Sequence, residues 1–105
     1  MMSAPPERCY GLHVIALARA WRAGASGWPI DKRIDFANDT DLNLLAVDGP
    51  TNQAKRDQGL DTWVPPNVAF RCEYAHRYLG VAAAYQLAVT VADINVARQV
   101  CAQQH

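Results

Sequence analysis

"DLNLLAVDGPTNQAKRD", residues 41–57, decides the fold class. From Leu42 to Val47 it is a short apolar run, too brief for a stable helix, and Asp48-Gly49 behind it is a turn pair. It reads as a strand over 42–47. The "TNQAKRDQG" that follows has too few apolar positions for more than a short polar helix. The other β segment lies around His13 in "HVIAL", where Val14 and Ile15 are β-branched. One residue is out of place in the strand. Asn is depleted in strands, and a buried amide needs partners, so Asn43 must be hydrogen-bonded to something.

Outward from this stretch the chain is helical. Leu17, Ala20, Trp21 and Gly24 fall at helical spacing until "AGASG" ends the element. Pro29 suits a first helical position, Asp31 its first turn, and Ile30, Ile34 and Ala37 share one face. "DTWVPPN" is an irregular bridge, because Pro65 and Pro66 exclude helix. Residues 67–86 then form the strongest helix. Val68, Cys72, Ala75, Leu79 and Ala82 make its core stripe, widened by Phe70, Tyr74 and Tyr78. Thr90 and Asp93 make a capping box for a last helix on which Val91, Ile94, Arg98 and Cys101 share a face. The expected class is α+β, mainly helical, with a short two-stranded β element and C-terminal helices.

The chain has 105 residues, half of them hydrophobic and about a fifth charged, which fits one globular domain with a thin core. Residues 1–10 are expected to be a disordered lead and 11–105 the domain. Ten basic and ten acidic residues leave no net charge to point to an electrostatic partner, although aspartates crowd the middle. No apolar stretch approaches the about 20 residues of a membrane span, so no membrane partner is expected. The N-terminus has no basic region followed by an apolar core, so the chain as written is expected in the cytoplasm. "DTDLN" resembles the start of a calcium loop, but Leu44 and Pro50 stand where an EF-hand needs glycine and glutamate. Trp21, Trp28 and Trp63 read as core plugs before base-stacking platforms, and His76 as a solvated residue facing away from the Cys72 stripe. Arg71 and Arg77 are candidate phosphate contacts, although no extended basic groove accompanies them. Cys72 and Cys101 lie on apolar helix faces, which taken alone reads as two buried thiols; Cys9 reads as a single exposed one.

"HVIALARAWRAGASGW", "FANDTDLNLLAVDGPTNQAKRD", "TWVPPNVAFRCEYA" and Cys101 together resemble the HNH-type endonuclease family that includes the C-terminal domain of GmrSD restriction enzymes, above all its actinobacterial members. The likeness runs from about residue 12 to residue 102. It implies a ββα-metal core and phosphodiester hydrolysis of DNA, most readily double-stranded, with a divalent metal such as Mg or Mn as cofactor. Position by position, it makes His13 the general base and Asn43 the residue whose amide holds the imidazole. Asn52 becomes a metal ligand at the helix start, and Lys55 a phosphate-contacting or structural lysine. General-base catalysis and hard oxygen ligation suit these residue types. The resemblance also implies a disulfide between Cys72 and Cys101, and secretion of a full-length form, since relatives are exported.

Departures from the family pattern bear on function. Leu12 stands where relatives carry the aspartate that is their principal anionic metal ligand; Arg19 replaces an acidic residue, and Arg56 a glycine. Asp39 or Asp41 is a substitute carboxylate to test for. The N-terminal segment of relatives, richer in cysteine and basic residues, is not matched here, so a shortened reading frame is expected. The alternative to a working nuclease is a non-catalytic remnant that binds nucleic acid or protein.

Overall fold

The structure, a computed structural model, describes residues 10–47 and 49–103. Residues 1–9 of the lead, Cys9 among them, and the Asp48 half of the turn pair lie outside them, whereas Tyr10, expected in the lead, opens the first strand. Strand β1 (Tyr10–His13) pairs antiparallel with β2 (Leu44–Val47), Leu12 opposite Leu45 and His13 opposite Leu44. Between the two strands the chain inserts α1 (Leu17–Ala23), a 3-10 turn (Ala25–Gly27) and α2 (Ile30–Ala37). Helix α3 (Gly49–Lys55) follows β2 directly and packs on β1. A second 3-10 turn (Val68–Phe70) leads into α4 (Arg71–Tyr85), which packs on α5 (Val91–Ala102). This is an α+β architecture, mainly helical, with one two-stranded antiparallel sheet. The β2 strand is two residues shorter at its start than the apolar run, because residues 39–43 are spent on a turn. Among the described residues no helix is long and apolar enough to cross a membrane.

Local chemistry accounts for the element ends. Helix α1 stops at Gly24, whose φ of 138° is a conformation that side chains resist. Helix α5 begins with the capping box its spacing predicts: the Thr90 side chain accepts from Asp93 N, and the Asp93 carboxylate accepts from Thr90 N. Asn67 caps the second 3-10 turn by accepting from Ala69 N.

The faces that helices turn inward differ from those the apolar pattern predicts. On α2, Ile30 and Ile34 are exposed and Phe36 is buried, held edge-on between Trp28 and Tyr85 at 5.5 and 5.0 Å between ring centroids. The Phe36 ring gains edge-to-face contacts with both neighbours that an isoleucine side chain cannot make. On α4 the aromatic edge wins: Tyr74, Tyr78 and Val81 are buried with Ala75 and Ala82, Cys72 and Leu79 sit half-buried at the side, and Val68 is exposed. On α5 the buried face is Asp93, Ala97 and Val100, while Val91 lies in solvent. A carboxylate can enter a core when donors surround it, and Asp93 has them from three segments. It accepts from Thr90 N and from Asp61 N (2.9 Å), and pairs with Arg19 at 3.5 Å. Arg19 also binds Asp61 at 3.0 Å, so α1, the 56–67 bridge and α5 meet at one charged junction. Trp28 and Trp63 pack against the core as expected, but Trp21 is half-exposed beneath the Arg33 guanidinium, 4.6 Å from its ring.

Candidate active site around His13

His13 is the last residue of β1, and the ladder runs one step past it, with Val14 N donating to Asn43 O at 2.7 Å. Leu12 and Val14 on either side are fully buried, so strand alternation turns His13 the other way, where it is half-buried. Its Nε2 lies 2.8 Å from the carbonyl oxygen of Ala37, the last residue of α2. A carbonyl only accepts, so Nε2 carries the proton, and in a neutral ring Nδ1 then holds the lone pair. The carbonyl is free to do this because the last C=O groups of a helix have no partner within it.

Asn43 is completely buried, and its amide is spent on backbone. Oδ1 accepts from Ile15 N at 2.9 Å, and Nδ2 donates to Ile15 O at 3.4 Å and Phe36 O at 3.5 Å. The expectation that this amide holds the imidazole is therefore corrected: Ala37 O holds the ring, and Asn43 locks the chain just beyond it. This meets the demand for partners that an asparagine in an apolar run creates. Tyr74 fixes the same junction from α4, its hydroxyl donating to Val14 O at 3.2 Å. Burial pushes that phenol well above its ordinary range, so it stays a donor.

The turn from α2 into β2 is organised by Asp39. Its Oδ1 accepts from Asp41 N (3.1 Å) and Leu42 N (2.9 Å), and its carbonyl accepts from Asn43 N and Leu44 N. Its Oδ2 accepts from the Tyr85 hydroxyl at 2.7 Å. That bond and the turn amides hold the carboxyl below its usual value; burial and the same bond push Tyr85 up to about 12. The turn thus sets both Ala37 O and Asn43. "DTDLN" is a carboxylate-centred turn, in which both carboxylate oxygens of Asp39 accept hydrogen bonds.

The helix side of the site departs further from expectation. Lys55 is 2% exposed and donates from Nζ to Gln58 O at 3.2 Å. Burial lowers its pKa to about 8, the Asp57 carboxylate opposing the shift and Arg19 adding to it. An ammonium in that position cannot reach a phosphate in solvent, so of the two roles open to it Lys55 has the structural one. Asn52 is half-buried on α3. Arg71 and Arg77 are also engaged, Arg71 with Pro65 O at 2.8 Å and Arg77 with Glu73 at 3.7 Å.

A hard divalent cation prefers carboxylate and other oxygen ligands. Of the two positions that the resemblance gives to the ion, Asn52 brings a neutral amide, and Leu12, apolar and fully buried, brings no donor. These two residues by themselves do not fit such an ion. Among the described residues, the His, Cys, Asp and Glu side chains that gather three ligand atoms are Cys72, His76 and Cys101, on α4 and α5. The two cysteines are joined, S–S 2.07 Å, so the pairing implied by the resemblance holds and the buried-thiol alternative does not. His76 is exposed but stands beside this link and not away from it, because a residue four positions on from Cys72 lies one turn along the same face.

Sequence reasoning missed Ala37, Tyr85 and the junction of Arg19, Asp61 and Asp93. Ala37 acts through its backbone and has no side-chain signal. The Cys72-x-x-x-His76 spacing was a signal that the apolar stripe masked.

The family model for the C-terminal domain of GmrSD restriction endonucleases matches residues 13–95. A curated relative, described as an uncharacterized secreted protein of Arthroderma benhamiae, is 42% identical over 82 residues, covering 77% of this chain. The chain spans 40% of that relative's length. No solved structure matches.

Proposed function

This chain belongs to the family of GmrSD restriction endonuclease C-terminal domains, and from that premise we propose that it is an HNH-type DNA endonuclease domain with His13 as the general base of phosphodiester hydrolysis. The observation that carries this reading is the 2.8 Å contact from His13 Nε2 to Ala37 O. It selects one tautomer and leaves Nδ1 as the atom that takes a proton from an attacking water. Asn43 and Tyr74 hold the backbone on which the imidazole rides, and Asp39 with Tyr85 holds the carbonyl that orients it. The order β1, β2, α3, with α3 on β1, is compatible with a ββα-metal core. Double-stranded DNA is the proposed substrate, and phosphate contacts from a chain of zero net charge imply weak, salt-sensitive binding. The Mg or Mn ion of this chemistry would serve as Lewis acid to the phosphate. With Leu12 in place of a carboxylate and only the neutral amide of Asn52 to bind it, the ion takes no defined step in this scheme. Secretion is proposed from the disulfide and the secreted relative.

A second reading, a non-catalytic remnant that binds nucleic acid or protein, is favoured by Leu12, which is sealed in the core where a ligand carboxylate is needed. Nicking of supercoiled plasmid in Mg or Mn separates the two. The first reading expects wild-type protein to nick and His13→Ala, with an unchanged melting profile, to lose about 100-fold or more. If the wild type is inert and only Leu12→Asp cuts, the domain keeps the ancestry without the activity.

A further inference from the structure

We propose that Cys72, His76 and Cys101 form a redox-gated zinc site, closed while the cysteines are joined and opened when a dithiol reductant separates them. Cys72 and His76 project from successive turns of α4, Cys101 comes from α5, and the two sulfurs and a ring nitrogen of His76 all lie within 4.8 Å of one another. A tetrahedral zinc ion with Zn–S of about 2.3 Å and Zn–N of about 2.0 Å needs its ligands about 3.5–3.8 Å apart. Reduction frees the two sulfurs, and side-chain rotation about the Cα–Cβ bonds then sets their spacing. Among the described residues nothing hydrogen-bonds the His76 imidazole, and it is exposed, so it is available as a ligand.

Two thiolates and an imidazole select zinc over magnesium or calcium, so this site is chemically distinct from anything around His13. Three protein ligands leave a fourth position. Beside these residues lies a hollow of about 230 Å³ lined by Ala75, Leu79, Ala97 and Arg98 together with His76 and Cys101. The chemistry balances. The dithiol gives two electrons and two protons to the protein disulfide, becoming a disulfide itself; Zn²⁺ then displaces the two thiol protons and binds two thiolates and neutral His76.

The test uses the whole chain carrying Cys9→Ser, oxidised or reduced by a phosphine under anaerobic conditions, titrated with Co²⁺ and then competed with Zn²⁺. Reduced protein is expected to take up one ion per chain with thiolate-to-cobalt charge-transfer absorption, and oxidised protein to show none. His76→Ala, an exposed change, should weaken binding by at least about 10-fold, since even outer partners of a metal site are worth that much. Absence of the thiolate band in reduced protein, or equal affinity for His76→Ala, overturns the proposal. If reduction alone lowers the helical circular dichroism, zinc must restore it; zinc that leaves it low overturns the proposal too.

Discussion

Replacing Lys55 with methionine should stabilise this protein at neutral pH and remove a pH dependence the wild type shows. The ammonium is 2% exposed and its pKa falls from 10.5 to about 8, chiefly through desolvation. A shift of that size corresponds to about 3 kcal/mol of penalty for the charged form at pH 7. The sign is set by proton counts. Between pH 8 and 10.5 the unfolded chain holds the lysine proton and the folded chain has largely lost it, so stability rises with pH. From pH 7 to 9.5 the wild type should gain about 2 kcal/mol from this group. Above pH 10 the raised pKa values of Tyr74, Tyr78 and Tyr85 reverse the trend, because the unfolded chain ionises its phenols first. Lys55→Met removes the charge and also the hydrogen bond to Gln58 O, which offsets the gain by about 1 kcal/mol. The variant should therefore be about 2 kcal/mol more stable at pH 7, with the advantage nearly gone at pH 9.5. Urea unfolding of both proteins at the two pH values measures this. A wild type whose stability is flat over the interval, or a variant that keeps the same rise, would refute the reasoning.

Other outcomes follow from the same contacts. Asn43→Ala leaves Ile15 N without its acceptor in the core and should cost about 2–4 kcal/mol, with the Ile15 amide losing its hydrogen-exchange protection ahead of the helices. Tyr85→Phe removes the bond to Asp39 and should cost about 1 kcal/mol, discounted for solvent. Because Asp39 is depressed below 3.8, its contribution is present above that value and is lost as pH falls, so the cost of Tyr85→Phe in thermal melts should shrink with acidification. Opening the Cys72–Cys101 link, with its separation of 29 residues, should cost about 3.5 kcal/mol on the chain-entropy account, read as the difference between oxidised and metal-free reduced protein in urea.

Much of this architecture was legible in the chain. The strand at 42–47, the short helix after it, the long helix to residue 86 and the capped last helix all appear within a few residues of where propensity and turn chemistry put them. These are local matters: a Thr-x-x-Asp cap works through atoms three residues apart. Helix faces were less legible. Counting apolar residues cannot foresee that Asp93 goes inside because Thr90, Asp61 and Arg19 surround it, nor that Ile30 and Ile34 yield to Phe36 between Trp28 and Tyr85.

By itself, the sequence determined that a histidine lies at one β segment, that an asparagine in an apolar run demands partners, and that leucine stands beside the histidine in place of a carboxylate; that the strand ends at the histidine, ahead of the β-branched Val14 and Ile15, came from the structure. What only the tertiary structure decided is what those residues touch. Ala37 O orients His13, Ile15 takes the amide of Asn43, and Lys55 lies buried against Gln58 O. Each of these partners is a backbone group, present at every position and so invisible in residue identity, and each is brought into reach only by packing segments distant along the chain or by burying a charge with its own turn.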